Sequence, residues 1–309
     1  MTEPPGGAQP VHETGTVPPG GHHQDPVPVR RYPAAPRTLP RPAVRPAPTL
    51  VWLHGGAFFA GGLELPEAHA VATALAACGV TVVTVDYRLA PLPGLPWVGR
   101  RGPRGRARWP HAHDDVVRAF RHVRAHAGGP VLLGGASAGA CLTSAATLTL
   151  LDAGEAPDGV VLAYGFHHAR LPRDPAVQRT VRGHRRITHS RWGLDLMNRN
   201  AVPPRSRHER SAFAGGQDLA GFPPALLLDA EQDAMRASGE RFAEELVAAG
   251  GPVERHVLPG SRHAFLNRPG TSDFGVAIAA TVSWIERRPH VSGGGPLPGG
   301  EPRESAGRG

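Results

Sequence analysis

The stretch that most constrains this chain is Gly135-Ala136-Ser137-Ala138-Gly139, set directly behind the apolar run Pro130-Val131-Leu132-Leu133. Glycines two residues either side of a serine permit a very tight turn from strand to helix, because a side chain at either glycine would collide with the neighbouring strand or helix. The apolar stretch 141–151 supplies the helix that such a turn requires. The turn lifts the Ser137 hydroxyl clear of the sheet and holds its backbone strained but exposed, which makes Ser137 a candidate nucleophile.

A nucleophilic serine needs donors for the oxyanion formed when it attacks a carbonyl, and losing one donor costs a factor of about 100 to 1,000 in rate. Eighty residues upstream the run Thr49-Leu50-Val51-Trp52-Leu53 reads as a strand ending in His54-Gly55-Gly56-Ala57-Phe58, whose glycines can turn bare N–H groups toward a ligand. The expected oxyanion hole is the amides of Gly55, Gly56 and Ala138. A base and an orienting acid should follow later strands, in the order serine, acid, histidine. The run Ala225-Leu226-Leu227-Leu228-Asp229 reads as a buried strand, with Asp233 in the loop beyond it. Asp229 and Glu231 are rival acids; Asp233 ranks first because Asp229 still belongs to the strand end. Of 17 histidines, His263 is chosen for its place in a loop after the last strand, whereas His256 lies inside that strand, Val253 to Leu258.

With these residues in view, the chain resembles the hormone-sensitive-lipase-like family of α/β-hydrolases, which includes bacterial carboxylesterases and acetyl-hydrolases. Further blocks carry the resemblance: Asp86-Tyr87-Arg88-Leu89-Ala90-Pro91, Trp109-Pro110 followed by Asp114-Asp115, Asp229-Ala230-Glu231-Gln232-Asp233 and Pro259-Gly260 through His263-Ala264-Phe265. The third of these, Asp229 to Asp233, is similar to the segment in which the family's acid is the final aspartate, which supports Asp233. The resemblance implies an α/β-hydrolase fold, a mostly parallel sheet with helices on both faces and a small cap. It also implies a serine esterase that cleaves carboxylic esters of short to medium acyl chains, acetyl to about hexanoyl, through an acyl-enzyme. Ser137, Asp233 and His263 would be its catalytic residues. A lactonase, amidase or deacetylase on the same residues is the alternative, as is a non-catalytic small-molecule receptor on the same fold.

Periodicity predicts strands near 27–32, 50–53, 80–85, 130–134, 159–163, 224–229 and 253–258, and helices near 66–78, 114–126, 138–151, 191–200, 238–249 and 272–287. One α/β-hydrolase domain is expected over 27–290, with a cap segment at about 166–210. The Pro/Gly-rich ends, 1–26 and 291–309, are expected to be disordered tails. The net charge is +8, and all 34 basic residues are arginine, scattered except for the run Arg100 to Arg108. That pattern reads as a coding bias with a solvated loop, not as a nucleic-acid footprint. The insertion 92–108 is longer than the resembled family carries, and it stands to shape the site entrance. His111-Ala112-His113-Asp114-Asp115 looks like metal ligands but lacks a further matching cluster and suits a helix start. No metal and no cofactor are expected. His167 and His168 read as surface residues, and Cys78 and Cys141 as buried free thiols. With no leader-like start and no apolar run of about 20 residues, a cytoplasmic protein without membrane insertion is expected. The partner implied is a small-molecule ester, and the oligomeric state stays open.

Overall fold

A computed structural model describes residues 12–20, 25–36, 46–95, 97–98, 105–183, 186 and 189–288. The apolar runs become strands: β1 (Glu13–Val17), β2 (Val27–Tyr32), β3 (Thr49–Leu53), β4 (Thr81–Val85), β5 (Val131–Ala136), β6 (Val160–Ala163), β7 (Ala225–Gln232) and β8 (Val253–Arg262). They join in the order β1-β2-β4-β3-β5-β6-β7-β8. From β4 to β8 every pairing is parallel, while β1 and β2 add an antiparallel edge. Parallel strands need crossovers, and helices supply them, so β3 to β6 are buried along their whole length and read as unbroken apolar sequence.

The helices are α1 (Pro66–Ala77), α2 (His111–His126), α3 (Ala138–Asp152), α4 (Pro175–Thr180), α5 (Arg191–Ala201), α6 (Arg236–Ala248) and α7 (Ser272–Arg287). Alternate side chains of each strand face opposite layers. Leu50, Trp52 and Leu132 pack with Val71 and Leu75 of α1 and with Ile278 and Trp284 of α7. On the other face Val51, Leu53 and Leu133 pack with Val116 and Phe120 of α2 and with Cys141 and Leu142 of α3. Phe242 and Leu246 of α6 close a third cluster with Val160, Leu162 and Leu227. The parallel strands thus end together, and the loops at their carboxyl ends gather the site.

Several expectations are corrected. The stretch 1–26 holds a strand: β1 pairs with β2, buries Val17 and ties Glu13 to Arg31 at 3.1 Å. The remainder of that stretch, outside 12–20 and 25–26, lies outside the described residues, as do residues 289–309. Cys78 is exposed at the end of α1, whereas Cys141 is buried. His167 is buried, not on the surface: it stacks on Phe242 at 4.4 Å, its Nδ1 lies 3.0 Å from Ser144 Oγ, and burial, with the neighbouring His168, pushes its pKa down to about 3. His168 is half-buried between Ser238 and Glu245. Within the arginine run, Arg106 is no solvated side chain; its Nη1 donates to the carbonyls of Phe59 (2.6 Å) and Ala90 (2.8 Å).

The His111–Asp115 run braces the fold. Asp115, buried at the start of α2, accepts the Arg88 guanidinium at 2.8 and 3.0 Å and the Arg88 amide at 3.0 Å. His113 lies 2.9 Å from Thr149 Oγ1 of α3. Two blocks that the sequence places 27 residues apart therefore meet as one buried ion pair holding α2 to the end of β4.

Candidate active site

Ser137 is the single residue between β5 and α3, with φ 53° and ψ −117°. A non-glycine residue in that region stores about 1–3 kcal/mol of strain, and the surroundings must over-determine it. They do so by close backbone approach. A Cβ on Gly135 would stand 2.6 Å from the Gly139 carbonyl carbon, and one on Gly139 would strike the carbonyl oxygens of Leu53 and His54. The Ser137 amide is itself fixed to the Ala163 carbonyl at 2.9 Å.

Ser137 Oγ lies 3.0 Å from His263 Nε2, and His263 Nδ1 lies 2.5 Å from Asp233 Oδ2. All three are buried. Burial alone would raise the Asp233 pKa, but the charge of His263 and the hydrogen bonds from His189 and His263 outweigh it and hold the carboxyl well below the usual range. An ionised carboxylate only accepts, so Nδ1 carries the proton and the Nε2 lone pair faces the Ser137 hydroxyl. The Met235 amide donates to the other Asp233 oxygen at 3.1 Å. The rival acids are engaged elsewhere: Asp229 accepts Arg255 Nε at 2.7 Å, and Glu231 accepts the Gly260 amide at 2.7 Å. His256 is exposed and lies 2.8 Å from Glu254.

The loop after β3 corrects one expected donor. The Gly55 amide is already satisfied, donating to Glu67 Oε2 at 2.5 Å, so it is withdrawn from the expected hole. The next residues turn inward instead: Gly56, Ala57 and Phe58 have φ of 114°, 52° and 68°. Gly56 and Ala57 line a cavity of about 390 Å³ beside Ser137 and His263. Ala138 opens α3, where a helix leaves its first amides without intrahelical acceptors. His54 braces this loop from behind. Its Nδ1 donates to the Gly55 carbonyl at 2.7 Å, its ring stacks on Tyr87 at 4.4 Å, and burial lowers its pKa.

Glu67 is the residue whose role sequence reasoning missed. Buried at the start of α1, it accepts from Gly55 with one oxygen and from Tyr164 Oη (2.5 Å) and Asn267 Nδ2 (3.2 Å) with the other. It thereby joins the loop after β3, the end of β6 and the segment after His263. An acid in a first helical turn is ordinarily a dipole partner, so nothing local marks it out. Tyr164 in turn lies edge-on to His263 at 5.0 Å.

The segment 166–210 carries α4 and α5 and adds Phe166, His189 and Met197 to the cavity wall. Phe58 meets Phe166 edge-on at 5.7 Å, and Phe59 lines the cavity directly. The residues flanking the insertion meet the same segment: Asn200 Nδ2 donates to the Pro91 carbonyl at 2.6 Å, and the Trp109 amide to the Ala201 carbonyl at 2.8 Å.

A family described by its alpha/beta hydrolase fold matches residues 50–267, the span from β3 to just past His263. The chain belongs to this α/β-hydrolase family. It is 30% identical over 238 residues to carboxylesterase NlhH of Mycobacterium tuberculosis, covering 71% of this chain and 67% of that one. It is 28% identical over 236 residues to an arylesterase of Saccharolobus solfataricus, covering 71% and 68%. Among solved structures, an esterase of the archaeon Pyrobaculum calidifontis superposes with a TM-score of 0.72 at 26% identity, covering 89% of this chain and 85% of the other.

Proposed function

We infer that this α/β-hydrolase is a carboxylic ester hydrolase in which Ser137 is the nucleophile, His263 the base and Asp233 the orienting acid. The observation that carries the reading is the buried run of hydrogen bonds from Ser137 Oγ through His263 to Asp233, at 3.0 and 2.5 Å, opening on one cavity. The relatives named as esterases support the same reaction.

Ser137 Oγ attacks the ester carbonyl carbon as His263 Nε2 takes its proton. The negative charge gathers on the carbonyl oxygen, where the amides of Gly56, Ala57 and Ala138 receive it; Ala57 replaces Gly55 because the Gly55 amide is bound to Glu67. Collapse breaks the bond to the alcohol, which leaves with the proton from His263, and the acyl group stays on Ser137. Water then attacks the acyl carbon by the same route, His263 returns the proton to Ser137, and the acid departs. Asp233 keeps the imidazole in the productive tautomer and stabilises the imidazolium.

The segment 166–210 serves as the cap, and Phe59, Phe166, Met197 and Met235 take the acyl chain. A cavity of about 390 Å³ that also admits the alcohol suits short to medium chains. The test is turnover of nitrophenyl esters from acetyl to dodecanoyl, with fluorophosphonate labelling, in the natural chain and in Ser137→Ala. The expected result is a best rate between acetyl and about hexanoyl, a range in which each buried CH₂ adds about 0.8 kcal/mol. Ser137→Ala should lose both labelling and turnover, with its fold retained. Labelling that survives Ser137→Ala would overturn the nucleophile.

A further inference from the structure

The cap brings a second histidine to the acid end of the site. His189, just ahead of α5, places Nδ1 3.5 Å from Asp233 Oδ1, and its ring stands edge-on to His263 at 4.6 Å between centroids. In ester cleavage neither of its nitrogens moves a proton; its part there is to help hold Asp233 ionised. One nitrogen from each histidine and one oxygen of Asp233 lie within 4.8 Å of one another, the one group of three such side chains with that spacing among the described residues.

Two imidazoles and a carboxylate are a donor set that holds zinc at open sites, with bonds of about 2.0–2.2 Å and tetrahedral angles. Donors on such arms stand about 3.4 Å apart, and His189 and Asp233 already stand 3.5 Å apart. The His263 donor closes the triangle by rotation about its side-chain bonds. The fourth position is left to water. His189 lines the cavity that holds Ser137, and its side chain keeps 15% exposure, so an ion has a way in.

We propose that His189, Asp233 and His263 form an inhibitory site for a zinc-type divalent ion, linking the cap to the reacting groups. The idea rests on His263 being the base. If the ion takes Nε2, the lone pair that accepts the Ser137 proton is gone. If it takes Nδ1, the ring proton moves to Nε2, and His263 faces Ser137 as a donor. Either way a proton acceptor is lost, and Asp233 can no longer orient the ring. Magnesium and calcium prefer all-oxygen shells and should leave the enzyme alone.

The experiment uses the full-length chain without an affinity tag, freed of metal by a chelator. Because His122 and His126 stand one helical turn apart on α2, 4.5 Å between rings, all variants carry His122→Ala to remove a competing surface pair. Zinc should inhibit nitrophenyl acetate turnover reversibly, EDTA should restore it, and magnesium at the same concentration should not inhibit. His189→Ala, and His189→Phe as a variant that keeps ring volume, should each raise the half-inhibiting zinc concentration about tenfold or more relative to their own metal-free rates. A second readout needs no turnover: in Ser137→Ala, Co²⁺ should give the visible absorption of a tetrahedral site, and adding His189→Ala should remove it. Equal zinc sensitivity with and without His189, or unchanged Co²⁺ absorption, would overturn the site. Absence of metal-free ester hydrolysis would instead overturn the enzymatic reading, leaving the Co²⁺ result to stand by itself.

Discussion

The floor of the cavity and its roof are built on different terms. In the floor, made by the ends of β3, β5 and β7 with the loops after them, backbone meets backbone, and a single methyl group at Gly135 or Gly139 would strike main-chain atoms. Each buried carboxylate there has its own partner: Glu67 the Gly55 amide and Tyr164, Asp229 the Arg255 guanidinium, Asp233 the His263 ring. The roof, 166–210, closes through side chains. Asn198 Nδ2 reaches the Ala169 carbonyl at 3.0 Å, Arg207 pairs with Asp195 at 3.0 Å, and Trp192 stands 73% exposed. Side chains can be exchanged one at a time, whereas a close-packed backbone cannot, so under the proposed function the floor would set the reaction and the roof which ester fits.

Two carboxylates of the floor give the largest test. Burial pushes the Asp229 pKa up to about 7 against the pull of Arg255, whereas Asp233 is held ionised on His263. Asp233→Asn should lower kcat by about 10,000-fold, because the amide favours the wrong imidazole tautomer. Asp229→Asn should cost stability and change kcat only a few-fold. Steady-state kinetics of both variants decide the matter, and the reverse order would move the orienting role to Asp229.

Next in size is Glu67→Ala, which keeps every group that touches the ester yet releases the loop carrying Gly56 and Ala57. We expect kcat to fall by up to about 100-fold through misplacement of the donors. Each buried donor left without an acceptor should cost about 1–3 kcal/mol in denaturant unfolding. A variant with full activity would mean that the loop is held without its carboxylate.

His167 sits where the roof begins, and it tests stability, not rate. Its folded pKa, pushed down to about 3 by burial first and His168 second, lies below that of the unfolded chain, about 6.5. The unfolded state therefore binds the extra proton between these values. The stability contributed is fully present above about pH 6.5 and is lost as pH falls toward 3, at up to about 1.4 kcal/mol per pH unit. His167→Gln should flatten that slope when unfolding is followed from pH 7 to 4. An unchanged slope would show that other groups carry the acid sensitivity.

The smallest effect should come from the roof. Met197→Ala removes apolar surface from the acyl side, so KM for a hexanoyl ester should rise by less than about tenfold while acetyl turnover barely changes, at about 0.8 kcal/mol per buried CH₂. A 100-fold loss with both esters would place the roof in the chemistry and erase the distinction.

Most of the fold was legible because its signals are local. The apolar runs, the paired glycines around Ser137 and the acid and histidine after late strands each depend on a few neighbouring residues, and they led to β2 through β8 and to the candidates Ser137, Asp233 and His263. β1 escaped because Glu13–Val17 is mostly exposed and lacks a core pattern; only pairing with β2 makes it a strand. His167 escaped because nothing beside it in the chain foretells Ser144 and Phe242.

By itself the sequence determined the layered sheet and the sharp turn at Ser137, both of which follow from steric limits on short stretches of backbone. Tertiary structure alone decided which polar atoms are spent and which remain open. The Gly55 amide is lost to Glu67, whose other oxygen meets Tyr164 97 positions on and Asn267 200 positions on, and His189 reaches Asp233 from the cap. A buried donor or acceptor must be paired, but its partner is chosen by packing in space, and distance along the chain carries no record of that choice.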